Sequence, residues 1–254
     1  MGLGAVRTLG IALLLLAPAA CDSLAPKASD RAETARDFPR ADRPVAPIIS
    51  TRWSTEEARD RVNEAEEIMD KAGIKPGMTV ADIGAGEGYY TVRLAKRVGP
   101  DGRVLGQDII AEVIDQLGRR VTRGNWENVS VKLGTPDDPK LPDASFDRVL
   151  MVHMYHEIAE PYAFLWRLYP ALKHGGEVIV VDMNRPTEQH GTPLALLRCE
   201  FEAIGFKLLG TEAHTAAGGY LARFSTGNSR PAPEKIVPCR LSRANGDAPG
   251  DQEE

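Results

Sequence analysis

The stretch Val80-Ala81-Asp82-Ile83, followed by Gly84-Ala85-Gly86-Glu87-Gly88, constrains this chain more than any other. A short apolar run closing on alternating glycines reads as a buried strand that enters a sharp turn. Glycine adopts positive φ at little steric cost and lets a ligand come close to the backbone. A helical apolar period resumes at once over residues 89–98. Strand, glycine turn and helix, in that order, open a βαβ unit.

The rest of the chain repeats the alternation. Strands are expected at 78–83, 103–107, 129–133, 146–152 and 177–182, with helices at 89–98, 111–122, 162–172 and 194–203. An earlier helix carries Ala58, Val62, Ala65, Ile68, Met69 and Ala72 on one face. Ser54 is its expected N-cap, Glu57 stands at capping-box spacing, and Gly73 stops it. Runs at 206–211 and 220–224 read as a final antiparallel pair. Apolar strands alternating with helices imply an α/β fold: a Rossmann-like doubly wound sheet, mostly parallel, with a C-terminal antiparallel hairpin. Such sheets bind ligands beyond the carboxyl ends of their strands, at the switch point beside the first strand. The glycine turn lies at that point.

The flanks differ in character. Arg7 precedes a nearly all-apolar run over residues 9–20 that contains Ala17, Ala19 and Ala20, and Cys21 follows. The run is too short for a stable membrane span and reads as an export signal over residues 1–20. Residues 16–21 resemble a bacterial lipoprotein signal, although Pro18 stands where leucine is preferred. That resemblance implies a lipidated Cys21, membrane attachment and a periplasmic or membrane-anchored location. An ordinary cleaved signal with an incidental cysteine is the alternative, and a misread signal would leave the chain cytoplasmic. Residues 21–52 mix charges with prolines and read as a disordered linker or tether, leaving a folded domain at 53–225. Residues 226–254 are proline-rich, end in an acidic cluster and read as a disordered tail. Three cysteines without CxxC spacing suggest neither a disulfide scaffold nor a zinc site, and Cys199 reads as a small buried apolar residue. The net charge of -5 argues against a nucleic-acid partner.

The glycine spacing narrows the ligand. A dinucleotide fingerprint is GxGxxG, whereas this turn is GxGxG with Tyr89 in the third-glycine position, and the phosphate-loop pattern is missing. Residues 80–88 instead resemble the first motif of class I S-adenosylmethionine-dependent methyltransferases. Asp108 ends the second strand, where a carboxylate can accept both ribose hydroxyls. The stretches 134–138, 141–147 and 172–176 and the pair Gly205-Phe206 are also similar to that family, although His174 stands where proline is usual. The likeness is strongest to small-molecule enzymes, including those of quinone biosynthesis. It implies S-adenosylmethionine as cofactor and a small-molecule acceptor, with Asp82, Gly84, Ala85, Gly86, Gly88, Asp108 and Ile109 around the cofactor and Asp137 near the adenine amino group. Asp82 is expected to act by orienting the loop and the methionyl amine.

An acceptor that carries a proton also needs a base. The stretch His153-Met154-Tyr155-His156-Glu157 follows the fourth strand, beside the expected methyl group. Histidine titrates near neutrality, so His153 and His156 are the catalytic candidates. Tyr155 reads as pocket wall, Tyr89 and Tyr90 as cofactor border or helix packing, and Trp53 as lid or core. The acceptor-specifying regions are expected in the first helix, the loop after the fourth strand and residues 184–193. Two further readings stay open: an exported binding protein that keeps the fold without the chemistry, and a nicotinamide oxidoreductase, which the missing third glycine disfavours.

Overall fold

The computed structural model describes Met1 and residues 31–48, 55–213 and 219–240. The apolar run of the expected export signal, Cys21, Trp53 and Ser54 lie outside those residues. Seven strands form one sheet: β1 (Thr79–Ile83), β2 (Arg103–Asp108), β3 (Val129–Leu133), β4 (Phe146–Val152), β5 (Leu172–Asp182), β6 (Phe206–Ala213) and β7 (Tyr220–Thr226). Their order is β3-β2-β1-β4-β5-β7-β6. The first five are parallel, and β7 runs antiparallel to both β5 and β6. This is the mostly parallel α/β sheet with an antiparallel C-terminal pair that the sequence implies.

Alternation along the strands feeds two cores, because successive strand side chains point to opposite faces. Ala81, Ile83, Val149, Met151, Val178 and Val180 pack on one side, beneath α5 (Pro161–Leu168) and α6 (Leu194–Ile204). Val80, Val104, Leu150, Ile179 and Val181 pack on the other, beneath α2 (Glu64–Lys71) and α3 (Tyr89–Val98). A further helix, α4 (Ala111–Arg123), buries Val113 and Leu117.

The strand order reverses between β1 and β4. Ile83 pairs with Gln107 on one side and Met151 on the other. The glycine turn, the end of β2 and the loop after β4 therefore meet at one edge.

Several expectations are corrected. The first helix is two: α1 (Glu56–Arg61) and α2, separated by Asn63 in the left-handed conformation at φ 52°. Val62, expected on the core face, is 48% exposed there. Thr55 caps α1, its hydroxyl accepting the Ala58 N–H at 3.2 Å. The helix expected over 162–172 ends at Leu168, and β5 begins at Leu172.

The linker reading fails over residues 32–48, which pack on the domain. Ala35, Phe38 and Ala46 are buried, and Arg43 Nε meets Glu200 Oε1 at 2.9 Å with both side chains fully enclosed. These anchors are isolated rather than periodic, and the partner of Arg43 is remote in sequence. Charge and proline thus resemble a solvated tether. The tail reading fails likewise as far as Arg240: Ile236 and Cys239 are buried, and Trp166 Nε1 donates to the Pro231 carbonyl at 2.8 Å. Cys199 and Cys239 form a disulfide, so Cys199 is a cross-link rather than apolar filling. A sequence separation of 40 hides that pairing from the sequence. Among the described residues, no helix is long and apolar enough to cross a membrane.

Candidate functional site

Local backbone rules build one wall of a cavity. After β1 the chain turns through Gly84 (φ 68°) and Gly86 (φ 54°) to Gly88 (φ 91°), the N-cap of α3. A Cβ on Gly84 would lie 3.0 Å from Met154 Cγ, so glycine lets the loop after β4 close on the turn. A Cβ on Gly88 would lie 2.5 Å from Leu117 Cδ1, against α4. Positive φ adds strain for any other residue at either position.

The strand ends bring carboxylates to this wall. Asp108 accepts the Gly86 N–H at 3.1 Å through Oδ2, and through Oδ1 the N–H groups of Ile109 at 2.8 Å and Ile110 at 3.1 Å. Asp82 is enclosed and accepts the Thr91 hydroxyl at 2.6 Å. Burial pushes the Asp82 carboxyl up to about 6, Asp108 adds repulsion, and Thr91 and Arg59 oppose the rise. Beside Asp108, Gln107 is 1% exposed, its amide lies against Gly134, and its Nε2 has no hydrogen-bond partner among the described residues. A buried amide donor without a partner is costly unless a ligand accepts from it.

Asp82, Gly84, Ala85, Gly86, Asp108 and Ile109 line a single cavity with Gln107, Tyr89, Tyr90, Thr135 and Pro136. Two of the expected cofactor residues stand elsewhere. Gly88 lies behind the wall, against Leu117. The Asp137 carboxylate accepts from Thr34 at 2.6 Å, Thr135 at 2.8 Å and Arg167 at 2.9 Å. It therefore fastens the N-terminal segment and does not line the cavity, which its neighbour Pro136 does. Burial opposes its ionisation, but these donors win and hold its carboxyl below the usual range.

The opposite wall is the loop after β4. His153, Met154, His156, Glu157, Ile158 and Ala159 line it, with Phe164 and His190. His153 holds a left-handed backbone at φ 55°. His156 is buried, and its Nδ1 stands 3.1 Å from both oxygens of Asp182, the last residue of β5. Asp182 also accepts from Thr192 Oγ1 at 2.7 Å and the Met183 N–H at 2.8 Å. Three donors on one carboxylate assign the proton to Nδ1 and leave Nε2 as the basic nitrogen. The His190 ring stands edge-on to that of His156, with centroids 5.4 Å apart. Burial, then the charges of His156 and Arg185, lower its titration.

Tyr155 is corrected: it is no part of the cavity, and its hydroxyl donates to Glu200 Oε2 at 2.7 Å in the core. Tyr89 and Tyr90 serve both expected roles. They line the cavity while their hydroxyls donate to Asp60 at 3.0 Å and Glu64 at 2.7 Å. The Arg59 guanidinium lies 3.8 Å from the Tyr89 ring centroid and pairs with Glu64 at 2.6 Å. Burial raises the Glu64 carboxyl, but Arg59 and Tyr90 outweigh it and the net shift is downward. Glu56 and Arg59 of α1 and Ile48 also line it, as do Ile83, Glu87 and Val152. Asp182 and Gln107 were not expected in the site, and Glu157 and His190 were covered only by the stretches expected to specify the acceptor. Asp182 had the signal that marked Asp108, a carboxylate closing a strand, whereas His190 sits in a loop with no motif.

A glycine turn at the switch point, a carboxylate ending β2 and a cavity between them and the loop after β4 define an α/β domain suited to hold a nucleoside-bearing cofactor beside a small second molecule. Residues 74–218, more than half of the chain, match the family model described as a methyltransferase domain, and the chain belongs to that family. It is 30% identical over 121 residues to a ubiquinone/menaquinone biosynthesis C-methyltransferase of Hahella chejuensis, covering 47% of this chain and 48% of that protein. It is 32% identical over 112 residues to an arsenite methyltransferase of Halobacterium salinarum, covering 44% and 29%. The aligned part thus spans about half the length of the first of these relatives, and less of the second. A solved structure described as a SAM dependent methyltransferase from Aquifex aeolicus superposes with a TM-score of 0.59 at 22% identity, over 68% of this chain and 98% of that one. At that identity the likeness shows the fold.

Proposed function

We propose that the protein transfers a methyl group from S-adenosylmethionine to a small-molecule acceptor. The observation that carries the reading is the cavity itself, with the glycine turn, Gln107 and Asp108 on one wall and His153, His156 and His190 on the other. Its residues fit the cofactor: Asp108 offers a carboxylate to ribose hydroxyls, and Gln107 Nε2 is a buried donor in need of an acceptor. Asp82, buried behind the turn, favours a cationic amine there, because a positive charge nearby relieves its burial penalty. The bound cofactor supplies an activated methyl group on its sulfonium.

The chain's own residues then position and enclose. Met154, Ile158, Phe164, Tyr89 and Tyr90 give the cavity an apolar and aromatic lining around the reacting atoms. Holding an acceptor in line is worth on the order of 7–11 kcal/mol. His156, oriented by Asp182, manages the acceptor's proton at Nε2, and His153 is the second candidate. The acceptor enters beside α1, the loop after β4 and His190, the regions from which its chemistry is read.

The reading extends to an exported protein, periplasmic or attached to the membrane through a lipidated Cys21, with no nucleic-acid partner. The apolar run over residues 9–20 supports export. So does the Cys199–Cys239 disulfide, since such bonds persist in oxidising compartments.

The test is label transfer from methyl-labelled S-adenosylmethionine to a panel of quinols, phenols and thiols. The expected result is label in one acceptor class, lost in His156→Ala while cofactor affinity holds. Tight cofactor binding with no transfer to any acceptor would favour a binding protein instead.

A further inference from the structure

We propose that His156, Glu157 and His190 bind a divalent transition-metal ion at the acceptor side of the cavity. His156 and Glu157 come from the single helical turn Tyr155–Glu157 after β4, and His190 closes the turn Thr187–Gln189 after β5. One donor atom from each lies within 4.8 Å of the others. An ion at about 2.0–2.2 Å from each donor sets tetrahedral donors about 3.3–3.6 Å apart, so the three close by up to about 1.5 Å when it binds. Two imidazoles and one carboxylate are a donor set that holds zinc or iron(II) and leaves coordination positions open.

The surroundings support the same assignment. Metal-bound histidines donate their other ring nitrogen to a carboxylate, which fixes the tautomer. His156 has that arrangement with Asp182, and Asp182 is itself held by Thr192 and the Met183 N–H. The His190 backbone is fixed in the left-handed region at φ 57°, and its carbonyl accepts two N–H groups of Arg185 at 3.2 and 3.1 Å. A Cβ on the next residue, Gly191, would lie 2.5 Å from Arg185 Cγ and 2.6 Å from the Met183 carbonyl. The N-terminal segment ties both turns together: the Ala46 N–H donates to the His156 carbonyl at 3.1 Å, and Thr187 Oγ1 donates to the Pro44 carbonyl at 2.8 Å. Two separate loops are thus braced so that three donors converge on the cavity.

The ion's role rests on the methyl-transfer reading, whereas its binding does not. An acceptor hydroxyl on an open position becomes more acidic. Its O–H bond breaks heterolytically, the proton passes to solvent water, and the electron pair stays on the bound oxygen. The ion then does the work that His156 Nε2 would do as a base, and it selects acceptors with a hydroxyl.

The test uses the full chain without a histidine tag, stripped with chelator and titrated calorimetrically with zinc(II), cobalt(II) and magnesium(II). One equivalent of zinc or cobalt is expected, with little binding of magnesium. Glu157→Gln and His190→Ala each weaken binding at least about tenfold, and Asp182→Asn by about 10–100-fold. His174→Ala, on an exposed residue of β5, leaves it unchanged. Thermal melts establish that each variant is folded. Absence of saturable zinc and cobalt binding by the folded wild-type protein overturns the proposal, as does unchanged affinity in both ligand variants. A parallel titration with S-adenosylmethionine separates the two ideas: cofactor binding without metal binding defeats only the ion, and metal binding without cofactor binding defeats only methyl transfer.

Discussion

Removing the Cys199–Cys239 disulfide by Cys239→Ser gives a loss whose size follows from the structure. The bond joins residues 40 apart. Loop-closure entropy for that length, intermediate between about 3 kcal/mol for 15 residues and about 4.7 kcal/mol for 100, comes to about 4 kcal/mol. For a domain of this size, about 2–4 °C is lost per kcal/mol, so the melting temperature falls by about 8–16 °C. The contacts around Cys239 set where the loss is felt. Its N–H donates to the Tyr162 hydroxyl at 2.6 Å, and the segment before it rests on Trp166 through Pro231 and on Tyr169 through Gly227. The assay is circular-dichroism melting of wild type and variant, each with and without a thiol reductant, alongside thiol titration. Reduction lowers the wild-type midpoint to that of the variant and leaves the variant unmoved. A reduced wild type with the bond shown broken, melting within about 2 °C of the oxidised form, refutes the argument.

The other predictions concern buried charge. Asp82 has its carboxyl raised from 3.8 to about 6, so it favours the protonated form in the folded state. Its contribution is fully present below pH 3.8 and is lost as pH rises through about 6. Asp82→Asn therefore stabilises the cofactor-free protein near pH 7 by about 3 kcal/mol and weakens cofactor binding. Denaturant unfolding at several pH values checks this, and a gap between variant and wild type that widens toward pH 4 contradicts it. Glu200→Ala strands the enclosed Arg43 and leaves the Tyr155 hydroxyl without its acceptor, for a loss of about 3–5 kcal/mol by the same unfolding measurement. A loss under about 1 kcal/mol would mean that Arg43 reaches water.

What the sequence revealed follows how local each cause is. The strand-glycine-helix unit at residues 79–98, the two alternating cores and Asp108 at a strand end all depend on neighbouring residues, and they were legible. His153 and His156 were legible as a pair because both sit in the one loop that the sheet order sends to the switch point. Asp137 was misplaced because an aspartate in a turn after β3 has two ways to face, and Thr34 and Arg167 turn it away from the cavity. The packed segments at 32–48 and 227–240 were unreadable for a related reason. Their anchors, Arg43 on Glu200 and Cys239 on Cys199, are tertiary pairs with no periodic trace. His190 joins His156 only through the fold of the loop between β5 and α6, which no short-range pattern announces.

In the methyl-transfer reading, S-adenosylmethionine sits in the cavity at the end of β1. Isothermal titration of the full chain with S-adenosylmethionine, its demethylated product and a nicotinamide dinucleotide tests it most directly. One equivalent of each of the first two ligands should bind, at least about tenfold more weakly in Asp108→Ala, which removes more than 1.4 kcal/mol of ribose contact. The dinucleotide should not bind. Failure of a folded protein to bind either of the first two ligands, or binding of the dinucleotide alone, would rule out S-adenosylmethionine as the ligand of this cavity.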